Sequence, residues 1–345
     1  MTYLRHAWTV AAWADELPAG GMLGRELLDE PIVLFRTPSG QAHALADRCP
    51  HRFAPLSMGK LVPDAIQCPY HGLQFSPAGA CVFNPHGDGS LPKAAQVRSY
   101  PIVERYSALW IWTGDPSLAD PALIPEFDFL VPEQWAVGTG HMLIEGNYEL
   151  ETDNIMDLSH IEFLHPLFAS EAVRRGKVEC DQQDDTVWSR RFIAGDDPPD
   201  FIRQAFRIAP GARVDRWLDV RWNAPALMAL WTGGIESGKP REQGLEVPSA
   251  HFFTPQDRGR THYFYAIAFP RALGPGADEL ARQNVAILRG PFEHEDKPII
   301  EAVAARMGGA DLLSLKPVLL AGDVAAMRAR RILQRRIAEQ PAASA

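Results

Sequence analysis

The chain has 345 residues and a formal net charge of −9, with 46% hydrophobic and 22% charged residues. That length suits two globular domains. The lack of a clustered basic block argues against nucleic-acid binding, which needs Lys and Arg gathered against phosphates. No apolar run reaches the ~18 residues of a membrane-crossing helix, and four cysteines are too few for a disulfide framework, which suits a reducing cytoplasm.

From the N-terminus, Met1–Trp13 alternates apolar and polar residues without a basic or long apolar leader, and reads as a strand, not a signal peptide. Ile32–Phe35 and Ala108–Trp112 are rich in β-branched and aromatic residues and also read as strands. Two short loops lie between such runs: Cys49-Pro-His51 and Cys68-Pro-Tyr-His71, with sixteen residues between His51 and Cys68. Pro50 and Pro69 stiffen them by fixing φ, and Gly72 permits close backbone approach. Each loop offers one thiolate and one imidazole. Structural zinc sites usually pair Cys with Cys and His with His. A Rieske [2Fe–2S] cluster has two chemically different irons, one held by two Cys and the other by two His. Loops that each carry both residue types fit that cluster, which makes Cys49, His51, Cys68 and His71 its candidate ligands. Cys81 and Cys180 are left over.

Residues 116–132 are rich in Pro and Asp and read as a linker between a first β domain, 1–115, and a mixed domain, 133–345. In the mixed domain, Asn147–Leu164 is predicted helical, and Val214–Phe269 holds several strands, among them Ala250–Phe253 and Thr261–Phe269. Asp278–Met307 is predicted to be a long helix interrupted at Gly290-Pro291. Asp323–Ile337 is predicted to be an amphipathic helix, with Ala325, Ala329, Ile332, Leu333 and Ile337 on one side and a solvated face of Arg328, Arg330, Arg331, Arg335 and Arg336. A frayed tail is expected over 341–345.

The helical stretch carries Asp157-x-x-His160 and then His165. Spacing of three places Asp157 and His160 on one face, with Asn154 beside them. His165 precedes a proline, so the helix should end there and let its ring turn back towards His160. Two converging imidazoles form most of the 2-His-1-carboxylate triad of non-haem Fe(II) oxygen chemistry. Asp296 is the best third ligand, because a helix there would set Phe292, Ile299, Ile300 and Val303 on its face, and a carboxylate in apolar surroundings needs a partner. Glu293 is the alternative, while Glu295 should project away.

With both sites in view, the sequence resembles the Rieske non-haem iron oxygenases. The resemblance rests on C-x-H-x16-C-x2-H, D-x-x-H-x4-H about ninety residues later and an Asp near the C-terminus, and it covers most of the chain. Cys49-Pro-His-Arg-Phe-Ala-Pro-Leu56, Asn154-Ile-Met-Asp-Leu158 and Thr254-Pro255 are most similar to the oxygenase components of vanillate and dicamba O-demethylases. The resemblance implies an α+β chain, with an all-β Rieske domain followed by a helix-grip catalytic domain whose antiparallel sheet is wrapped by helices. It implies that the cluster ligands hold [2Fe–2S], that His160, His165 and Asp296 hold Fe(II), and that Asp157 bridges a cluster His of one subunit to an iron-ligating His of the next in a homotrimer. O2 is then the co-substrate. The chain lacks a dinucleotide-binding fingerprint, so NADH and flavin enter only through a separate reductase. The implied reaction is mono-oxygenation of an aromatic acid, foremost O-demethylation through a hemiacetal that loses formaldehyde. Aromatic-ring or side-chain hydroxylation is the alternative within the family, and a Rieske electron carrier is the alternative outside it. Substrate contacts are expected from His251, Trp231, Leu230 and Ile287. The resemblance places Leu230 and Ile287 where dicamba-type members carry Asn and Trp, which argues against dicamba itself.

Overall fold

The computed structural model describes residues 3–341, so Met1, Thr2 and the tail expected beyond Pro341 lie outside the described residues. The chain forms two compact units. The first contains the described residues up to Ile124 together with Thr254–Arg258 and the stretch from Gln340; the second contains Pro125–Phe253 and Gly259–Glu339.

The first unit is all β apart from short turns. Its strands are β1 (Trp8–Trp13), β2 (Met22–Leu27), β3 (Glu30–Arg36), β4 (Ala42–Ala46), β5 (Lys60–Val62), β6 (Ala65–Gln67), β7 (Gln74–Phe75), β8 (Cys81–Phe83), β9 (Ser99–Tyr100), β10 (Ile102–Arg105) and β11 (Ala108–Trp112). They form antiparallel sheets in the orders β1-β11-β10, β2-β3-β4-β9 and β5-β6-β7-β8. Val33, Phe35, Leu45, Ile66 and Phe75 form a buried cluster that includes Cys49 and Cys68. The Pro-rich stretch predicted as a linker is ordered locally. Asp115 and Asp120 cap successive 3-10 turns by accepting from Ser117 N and Ala122 N, each with Pro at the start of the turn, where a missing N–H costs nothing.

The second unit is built on a seven-stranded antiparallel sheet in the order β12-β18-β17-β16-β15-β14-β13. These strands are β12 (Trp135–Ile144), β13 (Lys177–Gln183), β14 (Thr186–Asp196), β15 (Val214–Asn223), β16 (Leu227–Glu236), β17 (Leu245–Pro255) and β18 (Thr261–Pro270). Its helices are α1 (Tyr148–Met156), α2 (Ile161–Leu164), α3 (Asp200–Ala205), α4 (Ala277–Pro291), α5 (Lys297–Met307) and α6 (Val324–Glu339). This is the α+β arrangement expected, a large antiparallel sheet with helices.

Three local expectations change. The helix predicted over Asn147–Leu164 breaks at Asp157, whose extended backbone (φ −122°, ψ 97°) ends α1 and caps a 3-10 turn, Leu158–His160, by accepting from Ser159 N. The predicted interruption at Gly290-Pro291 is absent. α4 runs through Pro291 into a π-helical turn, Phe292–Asp296, which passes directly into α5. The wider turn relieves the Pro298 ring of the clash it would meet in a regular helix. Finally, Arg330 does not belong to a solvated face. It is 3% exposed and binds Glu149 and Asp153, tying α6 to α1, because burying a guanidinium requires anionic partners. Among the described residues, no helix is long and apolar enough to cross a membrane.

Candidate functional site

In the first unit the two Cys–His loops share one backbone design. Cys49 N donates to Ala54 O while Phe53 N donates back to Cys49 O; Cys68 N donates to Leu73 O while Gly72 N donates back to Cys68 O. The fifth residue of each loop has a left-handed backbone, Phe53 at φ 59° and Gly72 at φ 74°. The loops thus bring both thiols inside and set the His51 and His71 rings 4.4 Å apart, edge to face. Two features fit a metal cluster. Burial pushes the Cys49 thiol up to about 11, so a thiolate there needs a neighbouring positive charge. His71 Nδ1 is buried without a hydrogen-bond partner among the described residues, the kind of orphan that a metal bond satisfies. Among the described residues all four cysteines are free of disulfides.

In the second unit, His160, His165 and Asp296 each turn one ligand atom to a common point, with these atoms within 4.8 Å of one another. The tautomers follow from the neighbours. His160 Nδ1 lies 2.9 Å from the Asp157 carbonyl, which can only accept, so the proton sits on Nδ1 and Nε2 is free. His165 Nδ1 lies 2.6 Å from Glu295 Oε2 and likewise donates. The two Nε2 atoms then stand 3.6 Å and 3.2 Å from Asp296 Oδ1. Asn154 Nδ2 donates to the same oxygen at 3.1 Å. Burial lowers the His160 pKa, with Asp296 opposing the shift. Burial acts the same way on His165, but its bonds to Asp296 and Glu295 outweigh it and raise that pKa. Two oriented imidazoles, each backed by an acceptor, plus one buried carboxylate form a donor set suited to a divalent transition metal with open positions.

The expected roles around this cluster are partly redistributed. Glu295, expected to project away, is the acceptor that orients His165, because the π turn rotates it inward. Glu293 lies outside the cluster and pairs with Arg289. The apolar stripe that suggested Asp296 is only partly buried: Ile300 is inside, whereas Ile299 and Val303 are 51% and 41% exposed. Asp157 and His160 do not share a helix face. It is the Asp157 carbonyl that holds His160, while its carboxylate accepts from Arg191 Nη2 at 2.6 Å and from Ser159 N and Oγ. Arg191 is itself 5% exposed. Nothing in local spacing pointed to Arg191, which reaches Asp157 from β14.

The metal-ligand cluster opens into a cavity of about 490 Å³, within the usual range for small-molecule sites. Its wall is mostly apolar and includes Leu218, Leu230, Ile267, Ile287 and Leu288. Leu230 and Ile287 thus line the cavity. Trp231 does not: Leu230 pairs with Ser249 and Met228 with His251 across β16–β17, so Trp231 faces the opposite side and stacks on Trp188. His251 reaches the cavity wall with both nitrogens engaged. Nδ1 is 2.7 Å from Tyr263 Oη and Nε2 is 3.0 Å from Ser249 Oγ, which donates in turn to the Leu230 carbonyl. The consistent assignment has Tyr263 donating to His251 and His251 donating to Ser249. Burial lowers the His251 pKa to about 4, so the ring is neutral.

Comparison with known proteins follows this geometry closely. Residues 7–101 match the Rieske [2Fe-2S] domain and residues 144–339 match the vanillate O-demethylase oxygenase C-terminal domain. The oxygenase component of dicamba O-demethylase from Stenotrophomonas maltophilia is 39% identical over 341 residues, covering 97% of this chain and 98% of that protein. The oxygenase component of chloroacetanilide N-alkylformylase from Rhizorhabdus wittichii is 39% identical over 338 residues, covering 97% and 96%. The crystal structure of dicamba monooxygenase bound to 3,6-dichlorosalicylic acid superposes with a TM-score of 0.90 at 37% identity over 98% of each chain.

Proposed function

The chain belongs to the Rieske non-haem iron oxygenases, with relatives among the oxygenase components of O-demethylases, and on that premise we propose that it mono-oxygenates an aromatic acid-type substrate, foremost by removing an O-methyl group as formaldehyde. The carrying observation is the convergence of His160, His165 and Asp296 on the wall of an apolar cavity. In this reading residues 1–115 deliver electrons, 116–132 connect, and 133–345 perform the chemistry. Cys49, His51, Cys68 and His71 hold [2Fe–2S], and His160, His165 and Asp296 hold iron. The iron, when bound, supplies activation of O2 for C–H hydroxylation.

The residues of this chain do the rest. Glu295 and the Asp157 carbonyl keep both imidazole protons on Nδ1, so that Nε2 faces the metal. Asn154 fixes one oxygen of Asp296. The apolar wall excludes water and presses an aromatic ring towards the ligand cluster. Asp157 serves as the electron bridge between neighbouring subunits of a homotrimer, with Arg191 holding its carboxylate. A separate NADH-dependent flavin reductase supplies the electrons, and a cytoplasmic setting suits the four free cysteines. The 39% identity to an N-alkylformylase component favours dealkylation over ring hydroxylation, since both named relatives break a bond to a carbon substituent on a heteroatom.

The test supplies the metal-loaded protein with such a reductase, NADH and O2, screens methoxylated aromatic acids, and assays formaldehyde. His160→Ala should abolish formaldehyde while leaving the [2Fe–2S] absorption and its reduction intact. Formaldehyde release that persists in that variant would refute the reading, and hydroxylated product without formaldehyde would select the alternative.

A further inference from the structure

The proposed substrate carries a carboxylate, and the cavity must accommodate it. An anion entering an apolar wall loses its hydration and needs a cation in return. His251 cannot serve. It is neutral, its one N–H goes to Ser249, and its other nitrogen accepts from Tyr263. At the ligand end the charged side chains are the carboxylates of Asp296 and Glu295, which are committed to the two imidazoles and the proposed metal.

A cation stands further along the same wall. On β15, Val214, Arg216, Leu218, Val220 and Trp222 alternate on one face of the strand, so Arg216 interrupts an apolar stripe. Register pairs Arg216 with Gly234 and Leu218 with Thr232, and Thr232 in turn pairs with Val247, which puts Arg216 on the face that bears His251. Arg216 is 3% exposed and lines the cavity. Its Nη1 donates to Asp196 Oδ2 at 2.7 Å, and among the described residues this is its single hydrogen bond. The remaining guanidinium N–H groups have no acceptor among the described residues. A guanidinium offers five N–H donors in a planar fork matched to a carboxylate, so most of this fork is uncommitted.

We propose that Arg216 is the anion anchor of the cavity, and that the substrate is an aromatic ether whose carboxylate docks on Arg216 while its methyl group reaches His160, His165 and Asp296. Arg216 is well separated from His251: their β16 partners, Gly234 and Met228, are six residues apart, or about 20 Å of strand at ~3.3 Å per residue. An acid held at Arg216 is therefore held away from His251.

This inference rests on the oxygenase reading, and binding measured without turnover separates the two. The probes are 4′-methoxybiphenyl-4-carboxylate and its uncharged carboxamide, titrated into the metal-loaded holoenzyme by calorimetry and then assayed for formaldehyde with reductase, NADH and O2. Wild type should bind the acid about 10- to 100-fold more tightly than the amide, the range of a charge-assisted hydrogen-bonded pair. The double variant Arg216→Gln/Asp196→Asn removes both charges and leaves neither orphaned. It should lose that preference, with KM for the acid raised and kcat retained, while amide binding stays unchanged. If the double variant does not fold, Arg216→Lys carries the test, since a compact ammonium cannot take a carboxylate through two parallel bonds. Acid affinity should then fall while amide affinity holds. Equal binding of acid and amide by wild type, including no binding of either, overturns the anchor, as does unchanged acid affinity in the folded variants. An Arg216-dependent preference with neither formaldehyde nor a hydroxylated product from either probe upholds the anchor and counts against the oxygenase reading.

Discussion

Glu151 on α1 is 1% exposed, and neither carboxylate oxygen has a hydrogen-bond partner among the described residues. Thr261 lies within reach but donates its hydroxyl proton to the Gly146 carbonyl. Burial therefore raises the Glu151 pKa well above its ordinary 4.5, with Glu301 adding to the shift. The folded state keeps a proton that the unfolded chain releases above pH 4.5, so the stability contributed by protonated Glu151 is full below that pH and is lost as pH rises towards the folded pKa. While the folded carboxyl stays neutral, the loss is about 1.4 kcal/mol per pH unit above the unfolded value. Glu151→Gln keeps the shape and removes the titration. Any fixed cost of the amide offsets the variant equally at all pH values, so the informative quantity is the difference between wild type and variant as pH changes. Thermal midpoints of the metal-loaded protein between pH 5 and 8 should show the variant gaining on wild type by about 3–5 °C per pH unit. A difference that does not change with pH would show Glu151 ionised in the fold and refute the reasoning.

Four further outcomes follow from the site. His251, held neutral with a pKa lowered to about 4, contributes stability that is present above pH 6.5 and lost as pH falls towards 4, about 3 kcal/mol in all; His251→Gln should flatten that acid limb in a urea titration. Asp157→Asn should keep both metals by elemental analysis yet lose turnover, and normal activity would remove Asp157 from the electron route. A Cβ added at Gly322 would meet Asp157 Oδ2 at 2.2 Å, so Gly322→Ala should displace that carboxylate and slow reoxidation of the reduced cluster in stopped-flow, with the cluster spectrum unchanged. Glu295→Gln should weaken iron retention against a chelator about 10- to 100-fold, the usual cost of losing a partner that orients a ligating histidine; unchanged retention would show the contact to be incidental.

Much of the molecule was legible before its tertiary structure. The Cys–His loops and the Asp-x-x-His-x4-His segment are local patterns, and local spacing decides which side chains share a loop or a turn. Asp296 was reached across a long sequence separation because buried carboxylates need partners, although two of the four apolar residues used to argue its burial proved to be exposed. Glu295 was misplaced because a π turn shifts which residues face inward, and sequence patterns written for regular helices do not carry that shift. Trp231 was misplaced for the corresponding reason in a sheet: side chains alternate faces, so the pairing of β16 with β17 alone decides that Leu230 enters the cavity and its neighbour does not. Arg216 did leave a trace, a charged residue in the apolar register of β15.

By itself, then, the sequence determined the candidate ligand set, the order of an all-β unit before a mixed unit, and the class of redox chemistry, because these depend on residue types at short spacing. The tertiary structure decided which distant groups meet: Arg330 with α1, Arg191 with Asp157, Glu295 with His165, and Ser249 and Tyr263 with His251. Each pairing depends on strand register and helix packing, which are set by burial summed over the whole domain and not by any single segment.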